Sequence, residues 1–238
     1  MCCKNGQPNL FSGSVPGGKN PDGATYDPVT KYVFVMNRES AEATVVDPVA
    51  RKVVTTIPIG GSIEFTVSDG AGKVFANDES VGEIAVIDVK TLKMTGRYKM
   101  EGCMAPSGLA FVPGAKLLIS SCRNGLAKVI QSDTGKEVAS LPIGRGPDAV
   151  IYDATRKLAF ISCGGDGVLE VISVADPAHI SVVQHLATQA GSRTETLDPG
   201  TGRLYLMASK ADPAATPPAG GGGAPRLAGS FEVLVVAP

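Results

Sequence analysis

The chain contains no tryptophan and only two histidines, His179 and His185, so the commonest general base and metal ligand is missing from nearly its whole length. A tryptophan-derived quinone is excluded within these residues, and so is a copper site built from several histidines. Net charge is equally scarce. Lysine and arginine number 22 against 23 aspartates and glutamates, and a formal charge of −1 gives no positive field for gathering phosphates. Nucleic acid is therefore not an expected partner. No stretch approaches the roughly 20 consecutive apolar residues of a membrane-spanning helix, and the opening MCCKNGQPNLFSGSVPGG lacks the basic segment and apolar core of a signal peptide.

What the chain does have is turn chemistry and repetition. With 29 glycines, 17 prolines and 43% apolar residues, it has the make-up of a turn-rich all-β protein. The segment PDGATYDPVTKYVFVMNRESAEATVVDPVARKVVTTIPIG, from Pro21, returns as PSGLAFVPGAKLLISSCRNGLAKVIQSDTGKEVASLPIG from Pro106 and as PDAVIYDATRKLAFISCGGDGVLEVISVADP from Pro147. Weaker copies begin at Ile63 and Ser192. Each copy carries up to four short apolar runs of strand length, separated by turn pairs such as Asp27-Pro28, Asp69-Gly70, Pro113-Gly114 and Asp198-Pro199. Four antiparallel strands in a repeat of roughly 40 to 45 residues predict a β-propeller blade. Helical repeats of similar length are excluded by the glycines and prolines inside every unit.

The runs KYVFVMN, ATVVDP and KVVTTIPIGG resemble the YVTN-type propeller repeat of YncE-like proteins, over about residues 15–238. The resemblance implies radial blades, usually about seven in a complete ring, and export to the periplasm or beyond the cell. Only five repeats are present, so the expectation is an all-β propeller of five four-stranded blades forming an incomplete seven-blade ring, with a closed five-blade ring as the alternative. Residues 1–20 read as a tail with an orphan outer strand, since Val15-Pro16-Gly17-Gly18 stands where Ile57-Pro58-Ile59-Gly60 ends a complete repeat. In a closed ring this strand would pair with Phe231 to Val236 and cover a sheet edge. The stretch 211–229, ADPAATPPAGGGGAPRLAG, interrupts the fifth repeat with the composition of a flexible loop.

Up-and-down connectivity places the start of each first strand and the end of each second strand on one face, the channel mouth. The residue after each repeat's leading position recurs there: Asp22, Glu64, Ser107, Asp148 and Arg193. Three carboxylates and one arginine around an opening form a mostly acidic funnel suited to a cation or a basic ligand, or else a set of locks between blades. On the opposite face Asp27, Asp47, Asp69, Asp88, Asp133, Asp153 and Asp198 read as turn residues whose carboxylates accept local backbone N–H bonds. Cys103 precedes the first strand of the blade whose second strand ends at Cys122, so antiparallel pairing brings these two together as a disulfide in an oxidising compartment. A zinc site from Cys103, Cys122 and Cys163 has neither CxxC spacing nor a histidine nearby.

No Gly-x-Ser-x-Gly elbow and no phosphate-binding glycine loop is present, and His179 and His185 fall on ordinary turn and strand positions. The expected function is a noncatalytic propeller without cofactor or metal, binding a small ligand or a protein partner at the channel mouth. Related propellers include lactonases, and a lactonase-like or hydrolase-like enzyme using the mouth carboxylates is the alternative.

Overall fold

A computed structural model describes residues 13–215 and 225–238, and every strand in it belongs to one of five antiparallel sheets. The first sheet holds β1 (Pro21–Tyr26), β2 (Val33–Asn37), β3 (Glu42–Asp47) and β4 (Lys52–Pro58). The second holds β5 (Ile63–Ser68), β6 (Lys73–Asp78), β7 (Glu83–Asp88) and β8 (Lys93–Lys99). The third is built from β9 (Pro106–Val112), β10 (Leu117–Cys122), β11 (Leu126–Gln131) and β12 (Glu137–Pro142). The fourth comprises β13 (Pro147–Asp153), β14 (Leu158–Cys163), β15 (Val168–Ser173) and β16 (Ser181–Ala187). The fifth has three strands rather than four: β17 (Thr194–Asp198), β18 (Arg203–Ala208) and β19 (Glu232–Val236). Each sheet pairs its strands in chain order, as a propeller blade does.

The blades stack through their first strands, with β1 beside β5, β5 beside β9, β9 beside β13 and β13 beside β17. Among the described residues β17 has no such packed interface with β1, so the five blades form an arc. Of the segment read as an orphan outer strand, residues 9–12 lie outside the described residues, and 13–18 carry no strand pairing. Of the 211–229 loop, residues 216–224 lie outside them as well. Its two ends are joined by a bridge between Ala211 and Arg226 and by the Asp212 N–H donating to the Pro225 carbonyl.

Alternation along each strand sends apolar side chains to both flanks of a blade, and each blade boundary acquires its own core. Phe34, Met36, Ile57, Ile63, Val74 and Ile87 fill the first boundary, and Phe75, Ile84, Leu109, Leu118 and Ile130 the second. Ile119, Val129, Val150, Ile161 and Ile172 fill the third, and Phe160, Leu169, Leu204 and Leu206 the fourth. The aspartate turns are built locally. Asp47, Asp69, Asp88, Asp153 and Asp198 each accept backbone N–H bonds from residues two to four positions on, and Asp27 accepts the Thr30 N–H at 2.7 Å. Asp133 instead meets the Lys116 ammonium at 3.1 Å.

Candidate functional site at the channel mouth

Register fixes which residues share the mouth. Pro21 pairs with Asn37, Ile63 with Asp78, Pro106 with Cys122 and Pro147 with Cys163, so each first strand begins where a second strand ends. The residues just beyond those pairs are Asp22, Glu64, Ser107 and Asp148 on the first strands, and Arg38, Glu79, Arg123 and Gly164 after the second strands.

The two columns interlock as charges. Arg38 reaches from the first blade to the second, its Nη1 lying 2.8 Å from Glu64 Oε1 and 3.7 Å from Asp22 Oδ2. Its other terminal nitrogen pairs with Glu79, and its Nε donates to Ser62 Oγ at 2.9 Å. Glu79 continues the chain to the third blade through Arg123 Nη2 at 2.8 Å, and Arg193 Nε lies 3.4 Å from Asp148 Oδ2. Four carboxylates thus face three guanidinium groups. The funnel is therefore not predominantly acidic: the loops after the second strands bring arginines to the level of the first-strand carboxylates.

Burial separates the members. Glu64 and Glu79 are enclosed, whereas the side chains of Arg123 and Arg193 are 56% and 60% exposed and that of Asp22 is 46% exposed. Burial, with the nearby Glu79, Asp22 and Asp148 charges, pushes the Glu64 carboxyl up to about 7 against the opposing pull of Arg38. Asp148 is also raised, chiefly by burial, with Arg193 opposing. Beneath this rim is a cleft of about 410 Å3 between the innermost strands, lined by Asp22, Gly23, Ala24, Phe65, Thr66, Val67 and Leu109. A charged rim over an apolar floor suits a ligand with an ionic head and an apolar body.

Ser107 sits apart from this rim chemistry. It is buried, and its hydroxyl donates to the Pro147 carbonyl at 3.0 Å, tying the third blade to the fourth. Arg38, Glu79 and Arg123 were not singled out from the sequence, although each directly follows the end of a second strand and the repeat alignment already places them in one column.

Cys103 and Cys122 form a disulfide with a Cα separation of 5.4 Å, behind the mouth in the core between the second and third blades. Cys163 is a free, buried thiol, and burial beside Glu170 and Glu195 raises it far above the usual range. His179 pairs with Asp176 in an exposed turn, and His185 Nδ1 lies 2.5 Å from Glu170 Oε2. Among the described residues no group of three or more His, Cys, Asp or Glu is arranged to hold a metal ion.

No protein-family model matches the chain, and no curated protein matches it significantly. Solved structures do. Hydrazine synthase of Kuenenia stuttgartiensis superposes with a TM-score of 0.73 at 18% identity, over 98% of this chain and 66% of that one. A functionally unknown protein of Desulfotomaculum acetoxidans gives a TM-score of 0.67 at 14% identity, over 81% and 64%. The chain thus spans just under two thirds of the length of either. The blades, their stacking and these likenesses define a β-propeller.

Proposed function

We propose that this propeller is a noncatalytic binding protein of the YVTN, YncE-like type, taking a small ligand or a partner's surface loop at the channel mouth. One observation carries the reading: the half-exposed carboxylate of Asp22 lines the cleft floored by Phe65, Val67 and Leu109, and it belongs to the same interblade charge cluster, Arg38 to Glu79 to Arg123, whose last member is exposed. A ligand with an anionic head and an aromatic or aliphatic body would pair with an arginine at the rim and bury its body in the cleft. Work in the periplasm or outside the cell is part of the proposal. The repeat motifs support it, and so does the Cys103 to Cys122 bond, since such bonds persist in oxidising compartments.

The experiment is a thermal-shift screen with benzoate, phenylacetate, phenylalanine and phenethylamine. Binding to the native state raises the melting temperature by mass action. At least one organic anion should raise it with a saturable dose response, and Phe65→Ala should weaken the response. A panel without any shift at millimolar concentration would count against a small-ligand site.

A further inference from the structure

Three positions meet at the mouth end of every blade boundary. The first follows an outer strand, its N–H donating to the carbonyl just before the third strand of its own blade; it is Ile59, Met100 or Ile143, each packed in the core of its boundary. The second precedes the mouth column and is the buried Ile63, Pro106 or Pro147. The third lies three residues further on, as Thr66, Leu109 or Val150, all buried. Thr66 is the one polar member, and its hydroxyl donates to the Phe75 carbonyl at 2.8 Å. Between the fourth and fifth blades the same three positions are Thr188, Ser192 and Glu195. Thr188 is placed by the equivalent hydrogen bond, to the Gly167 carbonyl at 2.7 Å. An apolar wedge has become a polar one, at an internal boundary where β13 packs on β17.

The new polar groups find no partner. Thr188 Oγ1, Ser192 Oγ and both Glu195 oxygens are buried without a hydrogen bond, and with Gln189 Nε2 they make up five of the seven such side-chain atoms among the described residues. Glu195 is 7% exposed and Ser192 is fully buried. Counter-charge is missing too. Arg193 is engaged by Asp148 at 3.4 Å, and the Cys163 thiol near Glu195 is kept protonated by burial. A buried carboxylate with no cation, beside orphaned hydroxyls, calls for a bound guest.

We propose that this wedge binds an alkali-metal cation, sodium or potassium, held by the Glu195 carboxylate and the hydroxyl oxygens of Thr188 and Ser192. Oxygen donors suit a hard cation. One carboxylate neutralises one positive charge, whereas a divalent ion would leave a buried charge uncompensated. A proton on Glu195 would answer the charge but leave the hydroxyls orphaned; the cation answers both. This donor set of one carboxylate and neutral oxygens is unlike the His, Cys, Asp and Glu groupings of zinc and transition-metal sites. The bound ion would fasten the connection leaving β16 to the start of β17, behind the Arg193 carbonyl that already accepts the Ser162 hydroxyl and the Ala149 N–H. The site does not depend on the ligand proposed at the channel mouth.

The test is the melting temperature of the full chain at about pH 9, where the Glu195 carboxyl has lost its proton. Sodium, potassium and choline chloride are compared at about 0.2 M, choline giving equal ionic strength with a cation too large to enter. Sodium or potassium should raise the melting temperature over choline by at least about 3 °C, with a saturable dose response. Cation and proton compete for Glu195, so the pH response of this residue is largest in choline. Glu195→Gln keeps the shape and removes the charge, and should melt alike in all three salts. Ser192→Ala should lose at least about half of the gain. Crystals grown with thallium(I) in place of potassium should show an anomalous peak among Thr188, Ser192 and Glu195. Equal melting of the parent in the three salts overturns the proposal. So does a full gain in Glu195→Gln, which would place the ion at another carboxylate, or the same gain from about 2 mM calcium, which would make the site divalent.

Discussion

The side-chain amide of Asn77 crosses a blade boundary and donates to the carbonyl oxygen of Ser107 at 2.8 Å. The same amide nitrogen lies 3.0 Å from the Gly108 carbonyl, and the amide oxygen accepts the Ser120 hydroxyl at 3.0 Å. All of this is fully buried, and Ser107 passes the connection to the fourth blade through Pro147. One polar side chain therefore fixes the height of two neighbouring blades, where apolar contacts alone would let them slide.

Asn77→Ala strands two buried carbonyls and a buried hydroxyl. It should cost at least about 2 kcal/mol, measured by urea unfolding, since each orphaned buried group costs roughly 1 to 3 kcal/mol. A loss below about 0.5 kcal/mol, the range of a surface change, would show that the boundary is held by packing alone.

Close approach of the inner strands gives a second prediction. A Cβ at Gly108 would fall 2.4 Å from the Asp148 carbonyl oxygen and 2.7 Å from the Val150 nitrogen, both backbone atoms of the next blade. Gly108→Ala must push β9 and β13 apart and should destabilise by about 1 to 3 kcal/mol. Gly96, on β8, has nothing within 4 Å of its Cβ position and no positive φ, so Gly96→Ala should be neutral or stabilising by up to about 1 kcal/mol. Equal effects of the two substitutions on thermal unfolding would contradict this picture of the inner strands.

The disulfide yields a third. Cys103→Ser with Cys122→Ser should lower stability by about 2 to 4 kcal/mol. Thiol titration of the denatured, unreduced chain should find fewer than its five cysteines free, with Cys163 reacting only after unfolding. Recovery of all five thiols from material kept under oxidising conditions would rule the bond out.

Stability should also respond to pH through Glu195. This residue, on β17, has both carboxylate oxygens buried without a formed hydrogen bond, and burial pushes it up to about 8, with only the nearby Ser162 N–H favouring the charged form. An ordinary glutamate titrates near 4.5. Between those values the native state holds more protons than the unfolded chain, so stability falls as pH rises, by up to about 1.4 kcal/mol per pH unit, and levels off above about 8. Glu195→Gln should remove that slope and be more stable than the parent at alkaline pH, while Glu64, raised to about 7, keeps part of the slope below neutrality. Parallel pH profiles for parent and variant, from thermal melting, would contradict the burial argument.

How much of this the residues reveal unaided depends on the range of each interaction. The blade repeat is legible because its turns are local: Asp47 and Asp69 cap their own turns within four residues, and proline or glycine follows at fixed places. The mouth column Asp22, Glu64, Ser107 and Asp148 is legible for the same reason, since it follows from strand order alone. The pairing of Arg38 with Glu64 and Glu79 is not. It depends on how far one blade's loop leans over the next blade's first strand, which no spacing within a repeat encodes. The separate character of Ser107 was hidden likewise, because its partner Pro147 belongs to another repeat.

The most direct measurement is the melting temperature of Arg123→Ala beside the parent, each with and without the organic anion that gives the largest shift in the screen. Arg123 is more than half exposed, and the enclosed Glu79 that it meets keeps its pair with Arg38, so as a binding group Arg123 should be removable with a loss of only a few degrees in the unliganded protein. The ligand-dependent gain should then vanish. A variant that melts far lower without ligand, yet keeps the full ligand-dependent gain, would make the mouth charges a lock between blades rather than a binding surface.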